Sequence, residues 1–255
     1  MEPTNTRGLS ANTLFHFTSS LENLINILTE EFHAHFCLEN VSLLVGLKEL
    51  EVAIPMVSFC DIPLSQTAFH LSVYGDYGIG MTKSWGKRNG ISPVLYTYDN
   101  SLMVTRFTRM MDSVMKDLPK QTEDEAIPLV FDFASFVKPY EGALWRIGGT
   151  LDNIRFYDER EWRFVPNLPK DFEPLFLGKP SFLSEESRSK ANLAVRELSR
   201  LSFEPNDIQY LIVRREDEIV PLIKQVQMKK SKYAYDDVLL LSSRIISAEQ
   251  IGMDF

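Results

Sequence analysis

The chain has 255 residues, 44% hydrophobic and 24% charged, with a net charge of −8: an ordinary globular composition, long enough for one large domain or two small ones. Its longest apolar runs, such as "VLLL" at 238–241, are too short to span a bilayer, and the N-terminal "MEPTNTRGLS" lacks the apolar segment of a signal peptide. Only Cys37 and Cys60 are present, which is no disulfide framework, so the expectation is a soluble protein of a reducing, cytoplasmic compartment.

"TLFHFT" (13–18) alternates and is rich in β-formers, which predicts a strand. Ser19 with Glu22 three residues on is a capping-box signal, and Leu21, Leu24, Ile25 and Leu28 recur at helical spacing. A helix with Ser19 as its N-cap is therefore expected. "VSLLVGLKELEV" (41–52) reads as a short helix and "PMVSFCDIP" (55–63) as a strand closed by proline. "LSQTAFHLSVYG" (64–75) reads as a short helix ending at glycine. "YGIGM" (77–81) and "SPVLYTYD" (92–99) are expected as strands joined by a basic loop, "TKSWGKRNG". "SLMVTRFTRMMDSVMKDL" (101–118) is amphipathic at helical spacing, "PKQTEDE" marks a loop or insertion boundary, and "IPLVFDFASFVKPY" (127–140) is expected to be helical. "NIRFYDEREWRFVP" (153–166) reads as a strand ended by proline. A proline-punctuated loop, "FEPLFLGKPSFLSEES", leads to a helix over 186–203, a strand "IQYLIV" (208–213), a helix "EDEIVPLIKQVQMKK" and a last strand "DVLLLSSRIIS". Strands and helices interleave with no Gly-rich dinucleotide-binding turn, so the class is α+β.

Charge is unevenly spread. Residues 1–80 hold two basic and nine acidic side chains, residues 81–120 seven basic and three acidic, and "KQVQMKKSK" (224–232) four lysines and no acid. Screening confines each patch to about 10 Å, so an acidic chain can still hold a polyanion locally. The plainer reading of a lysine run is a solvated face.

The chemistry-bearing candidates fall in three blocks. In a continuous strand over 153–166, Arg155, Tyr157, Glu159, Glu161 and Arg163 share one face, and Phe156, Trp162 and Phe164 the other. The aromatic face would be core. The two glutamates would project elsewhere, either into a site or into a solvated ion-pair ladder, with Arg155 and Arg163 as counter-ions. In "FHFTSS", His16 and Thr18 share a strand face that leads into a helix N-terminus, where free N–H groups favour anions. In "MVSFCDIPLSQTAFHLSVYGDYGIG", tyrosines can stack on a flat ring and glycines let backbone approach a ligand. That stretch is no P-loop, since Met81 stands at the lysine position, and no Rossmann fingerprint, since Lys83 replaces the last glycine. His33, His35 and Cys37 alternate, and Cys60, Asp61 or His70 could join them, but without CxxC or HExxH no metal site is expected. No GxSxG supports a hydrolase.

Three stretches, "FHFTSSLENLINIL", "IPMVSFCDIPLSQTAFHLSVYGDYGIGMTKSWG…GISPVLY" and "EREWRFVP", together resemble the AbiGi-type abortive-infection family of phage-resistance proteins, which carries the label antitoxin. The order of the blocks also resembles ADP-ribosyltransferases of the DarT and poly(ADP-ribose) polymerase kinds. That second resemblance implies a mixed sheet core with flanking helices and NAD as the substrate. It assigns His16 and Thr18 to the nicotinamide-side ribose and amide, and Glu161, with Glu159 before it, to catalysis. Ser58 stands where that fold often has tyrosine and His70 where it often has the stacking aromatic, so Tyr74 or Tyr77 would stack on nicotinamide. Arg163 would steer phosphates. The carboxylate would stabilise an oxocarbenium-like centre and take a proton from the nucleophile.

The expectation is thus one ADP-ribosyltransferase-like domain over 1–255, with a helical insertion at about 100–150 and a C-terminal α/β extension at about 184–255. Its expected function is an NAD-dependent phage-defence toxin that modifies nucleic acid, RNA or single-stranded DNA. Lys83, Trp85, Lys87 and Arg88 would bind that acceptor by stacking and charge. A silencing partner is implied, with the helix at 186–203 and the segment after 216 as docking surfaces. The alternative is a non-enzymatic antitoxin or phage-sensing partner on the same fold.

Overall fold

In the computed structural model, the described residues are 11–42, 50–117, 132–146, 149–169 and 171–254. Strand β1 (Thr13–Thr18) forms where alternation predicts it. Helix α1 (Leu21–Glu30) is capped by Ser20 rather than Ser19. The Ser20 hydroxyl accepts the Asn23 backbone N–H at 3.1 Å, while the Ser19 hydroxyl meets only the Asn23 side chain, at 3.5 Å. Strand β2 (His35–Asn40) follows, then β3 (Glu51–Cys60). Residues 43–49 of the short helix expected over 41–52 lie outside the described residues, and Glu51 and Val52 open β3 instead of closing a helix. A single 3-10 turn (Leu64–Gln66) precedes α2 (Thr67–Tyr74), which leads to β4 (Tyr77–Thr82).

The expected basic loop is a helix, α3 (Lys83–Arg88), capped by the Thr82 hydroxyl on the Trp85 N–H. The stretch 92–99 divides into β5 (Ser92–Pro93) and β6 (Leu95–Thr97), and α4 (Leu102–Asp117) is the amphipathic helix. The expected loop "PKQTEDE" lies outside the described residues, as do 127–131. The rest of the helix expected over 127–140 is helical only at 132–134, and its end is strand β7 (Val137–Pro139). Then come β8 (Gly142–Arg146), β9 (Gly149–Ile154), a 3-10 turn (Phe156–Glu159) and β10 (Glu161–Phe164). Strand β11 (Leu177–Gly178), α5 (Lys179–Leu183) and α6 (Glu185–Arg196) replace the expected loop and shorten the expected helix. The chain continues through β12 (Ile208–Val213), α7 (Ile219–Lys229), α8 (Tyr235–Ser242), β13 (Ile245–Ser247) and α9 (Ala248–Asp254). "DVLLLSSRIIS", expected as one strand, is therefore a helix end followed by a strand. A short apolar run carries no period that separates the two.

The chain divides into two compact units. The first comprises the described parts of Met1–Phe32, Ser58–Ile91 and Leu201–Phe255. Its strands run in the order β13-β12-β4-β1-β3. β12 and β13 are parallel and the other pairs antiparallel, so the sheet is mixed. Helices flank it, as expected for the α+β class. One core cluster joins Phe15, Ile62, Leu71, Ile212 and Ile251. A second joins the rings of Phe32, Phe59, Trp85 and Phe203, with centroids 5.3–5.8 Å apart.

The glycines of β4 have a packing reason. Gly80 pairs with Phe15 and Gly78 with Phe17. A Cβ on Gly80 would fall 2.9 Å from the Phe15 ring, and one on Gly78 3.1 Å from Phe17. Glycine here makes room for a cross-strand aromatic.

The second unit comprises the described parts of His33–Val57 and Ser92–Arg200. β2 pairs antiparallel with β3, which also pairs with β11. β10 pairs antiparallel with β5, β6 parallel with β7, and β8 with β9 as a hairpin. One core cluster gathers Val41, Val52, Ile54, Met56, Ala134 and Val137, and another Phe36, Ala53, Leu177, Phe182, Ala191 and Val195.

Gly75, which ends α2, has φ +119°, and a Cβ there would fall 2.3 Å from the Thr18 carbonyl oxygen. Gly75→Ala is expected to lower stability by about 1–3 kcal/mol. Urea denaturation checks this, with Gly90→Ala as comparison: its φ is +72°, but it has nothing within 4 Å.

A candidate functional site around Glu161

The segment 156–164 is not one strand. Phe156–Glu159 form a 3-10 turn, Arg160 takes a left-handed conformation with φ +47°, and only then does β10 begin. The expected face pattern holds at 155–157, where Phe156 is buried, and is inverted from Glu159 onward. Arg155 and Tyr157 are exposed, Trp162 and Phe164 are half-buried, and the charged Glu159, Glu161 and Arg163 are buried.

Lys138 supplies what the sequence reading lacked. It lies on β7, paired across the ladder with Tyr96 of β6. Its Nζ donates to Glu159 Oε2 at 2.8 Å and to Glu161 Oε2 at 2.7 Å. Arg163 Nε donates to Glu161 Oε1 at 2.8 Å, and Nη2 to Glu161 Oε2 at 3.1 Å and Glu39 Oε2 at 2.8 Å. Arg163 Nη1 donates to the Ser135 carbonyl at 2.7 Å, and the Glu161 backbone N–H donates to the Tyr96 hydroxyl at 2.8 Å. Three carboxylates and two cations thus share one interior, with Glu161 4% exposed and Arg163 fully buried.

Burial alone would push the Glu161 carboxyl up, but the Arg163 and Lys138 charges and their hydrogen bonds outweigh it and hold it far below its ordinary range. Burial would likewise lower Lys138, yet Glu161, Glu39 and Glu159 keep it well above 10.5. Burial raises the Tyr96 phenol above its ordinary 10. A carboxylate so placed is a counter-ion. Its depressed proton affinity makes it a weak general base, since proton transfer is best served by a pKa near the working pH.

The other expected site residues fall in the first unit. His16 Nδ1–H donates to the Ser58 carbonyl at 2.9 Å, and the ring packs on Phe32 and Phe59. Thr18 ends β1, opposite Tyr77. His70 packs against Phe17 and Tyr74, with centroids 5.9 and 6.0 Å away. The Tyr77 hydroxyl donates to Glu218 Oε1 at 2.8 Å. Of the residues expected to grip nucleic acid, Trp85 is 0% exposed, and its indole N–H donates to the Ser202 carbonyl at 2.9 Å. Lys83 pairs with Asp61 at 2.7 Å and Arg88 with Asp207 at 2.8 Å, while Lys87 is exposed. The tryptophan among cations is a core anchor on a short helix, because its large ring is worth more buried than in a loop. His33 Nδ1–H donates to the Arg196 carbonyl, and no group of three His, Cys, Asp or Glu among the described residues is placed to hold a metal ion.

Lys138, Tyr96 and Glu39 were missed by the sequence reading. The signal for Lys138 was a lone charge inside the apolar run "FASFVKPY", a segment expected to be helical. Lys138→Met leaves Glu159 and Glu161 buried side by side and is expected to cost about 3–5 kcal/mol. The pH dependence follows from the two shifts. Glu161, depressed in the fold, stabilises above its unfolded value of 4.5 and loses that contribution as pH falls through the folded value. Lys138, raised in the fold, stabilises below its unfolded value of 10.5 and loses that contribution as pH rises. Denaturation across pH should therefore show stability falling on both sides of the 4.5–10.5 window. The gap between wild type and Lys138→Met should narrow on acidification, as protonation relieves the carboxylates left without their lysine.

Residues 29–214, well over half the chain, match the family model described as abortive phage resistance protein AbiGi, antitoxin. A relative from Lactococcus lactis subsp. cremoris, an "Abortive phage resistance protein AbiGi", is 29% identical over 223 residues, covering 79% of this chain and 89% of the relative. No solved structure matches the chain significantly. The antitoxin description overturns the expectation of an ADP-ribosyltransferase toxin and favours its non-enzymatic alternative. No helix among the described residues is long and apolar enough to cross a membrane. The chain belongs to the AbiGi family of abortive phage resistance proteins.

Proposed function

We propose that this chain is the non-enzymatic antitoxin of an abortive-infection system and restrains a toxic partner by direct binding. The observation that carries the reading is the antitoxin-family match over residues 29–214, which includes Glu159, Glu161, Lys138 and Arg163. The geometry supports it. The glutamate pair that an enzyme would need is spent on Lys138 and Arg163, and Glu161 is held ionised away from solvent. Binding needs no catalytic carboxylate, only a rigid interior and a suitable surface.

The test separates this chain from the rest of its phage-resistance locus by placing each under its own inducible promoter. Expression of the rest alone should arrest growth, and co-expression of this chain should restore it. Glu161→Gln, compared at equal folded protein, should rescue as wild type does, because the side chain acts through stability. Growth arrest caused by this chain alone, or absence of rescue, would overturn the reading.

A further inference from the structure

Helix α4 uses only part of its apolar content for its own core. Val104 is buried, and Phe107 packs against the cluster that includes Ile54 and Val137. Leu102, Met103 and Met110 are 64%, 37% and 51% exposed, and Arg106 and Arg109 are exposed with them. Leu102, Arg106 and Arg109 follow i, i+4, i+7 spacing, and Met103, Arg106 and Met110 follow i, i+3, i+7. The two strips meet at Arg106 and form one outward face. Phe107, four residues from Met103 and three from Met110, stacks at 5.0 Å on the half-exposed Phe133, which widens the apolar margin on the methionine side. All of these residues belong to the second unit.

The cations stand on this face itself, and its make-up selects what covers it. A solvated helix face mixes charges of both signs at i, i+4, as α6 does with its exposed Glu186 and Lys190. From Leu102 to Met110, α4 holds no acid and no lysine. Arginine, methionine and aromatic side chains without lysine or acids are the composition of a protein–protein contact. Among the described residues neither guanidinium has an ion-pair partner, whereas Lys83 and Arg88 do. A partner surface that brings carboxylates to both arginines would supply one. Other occupants fit less well. Arg106 lies between Leu102 and the two methionines, so a bilayer that took in the apolar side chains would take in the charge as well. Nucleic acid would meet the arginines but leave leucine and methionine without a role. A second copy packed through the same face about a two-fold axis would set arginines against arginines.

Resting on the antitoxin reading, we propose that the outward face of α4 is where the toxic partner docks, through an acidic patch whose carboxylates pair with Arg106 and Arg109 and whose apolar side chains meet Leu102, Met103 and Met110. The rescue assay tests it, at equal folded protein, with Arg106→Glu/Arg109→Glu and with Met103→Asp/Met110→Asp. All four positions are exposed, so the thermal melt should stay unchanged. Each pair should require roughly tenfold more protein for equal rescue. Arg106→Lys/Arg109→Lys, which keeps the charge, should lose clearly less than the glutamate pair, and Leu193→Glu, exposed on α6, should rescue fully. A photo-crosslinking residue at Met110, in cells carrying the whole locus, should trap the same protein whose toxicity is neutralised. Undiminished rescue by either the glutamate or the aspartate pair would overturn the docking face. So would equal losses for the lysine and glutamate pairs, or crosslinks only within the chain, to a second copy, to lipid or to nucleic acid. Failure of wild type to rescue would instead sink the antitoxin reading itself, so the two outcomes are distinguishable.

Discussion

The second unit depends on one cation. Lys138 stands between Glu159 and Glu161, and two ionised carboxylates buried together without it would repel. Around this contact five segments converge: β2 through Glu39, β6 through Tyr96, β7 through Lys138, the 3-10 turn through Glu159 and β10 through Glu161 and Arg163. Most of these strands are short, and three of them, β6, β7 and β10, have only three or four residues. Their ladders alone fix little. A satisfied charge network adds direction to what hydrophobic packing would leave loose, because only one arrangement places both carboxylates on the lysine and both faces of the guanidinium fork on acceptors. Such a network adds little net stability over an apolar core of the same volume, yet it is costly to break at any single member.

The first unit solves the same problem with shape instead of charge. Its central strand β1 buries Leu14 on one face and Phe15 on the other, and β4 yields space by placing glycines opposite Phe15 and Phe17. Trp85, Phe32, Phe59 and Phe203 then fill the side away from Phe15's cluster with rings in edge and tilted contact. His16 belongs to this aromatic packing, with its Nδ1–H turned to a carbonyl.

What the sequence made legible was the part written in periodicity. β1, α4 and β12 form where β-former runs or helical spacing predict them, although β1 and β12 bury residues on both faces. The parts that were illegible share a cause: a local pattern with two physical outcomes. "EREWRF" alternates charge and aromatic in a way that suits an exposed polar face, and the αL residue Arg160, which redirects the glutamates inward, has no signature such as glycine or asparagine. "TKSWGKRNG" reads as loop because it is cationic, yet one tryptophan seeking burial and one threonine cap suffice to make it helical. "VLLL" reads as strand or helix equally well. Most telling is Lys138, separated from Glu161 by 23 positions: no spacing rule within either segment connects them, and only the tertiary fold does.

The same separation bears on the proposed function. A glutamate pair in sequence can be an acid–base pair or an ion-pair partner, and the residues beside it in the chain are the same in both cases. What differs is the third group brought from elsewhere. An interior lysine donates to both carboxylates, and Arg163, on both oxygens of Glu161, helps hold that carboxyl ionised. Chemistry that needs a free lone pair is then disfavoured at that point, while a rigid unit able to present a constant surface is favoured. On the proposed antitoxin reading, binding by contact asks for that rigidity inside the unit.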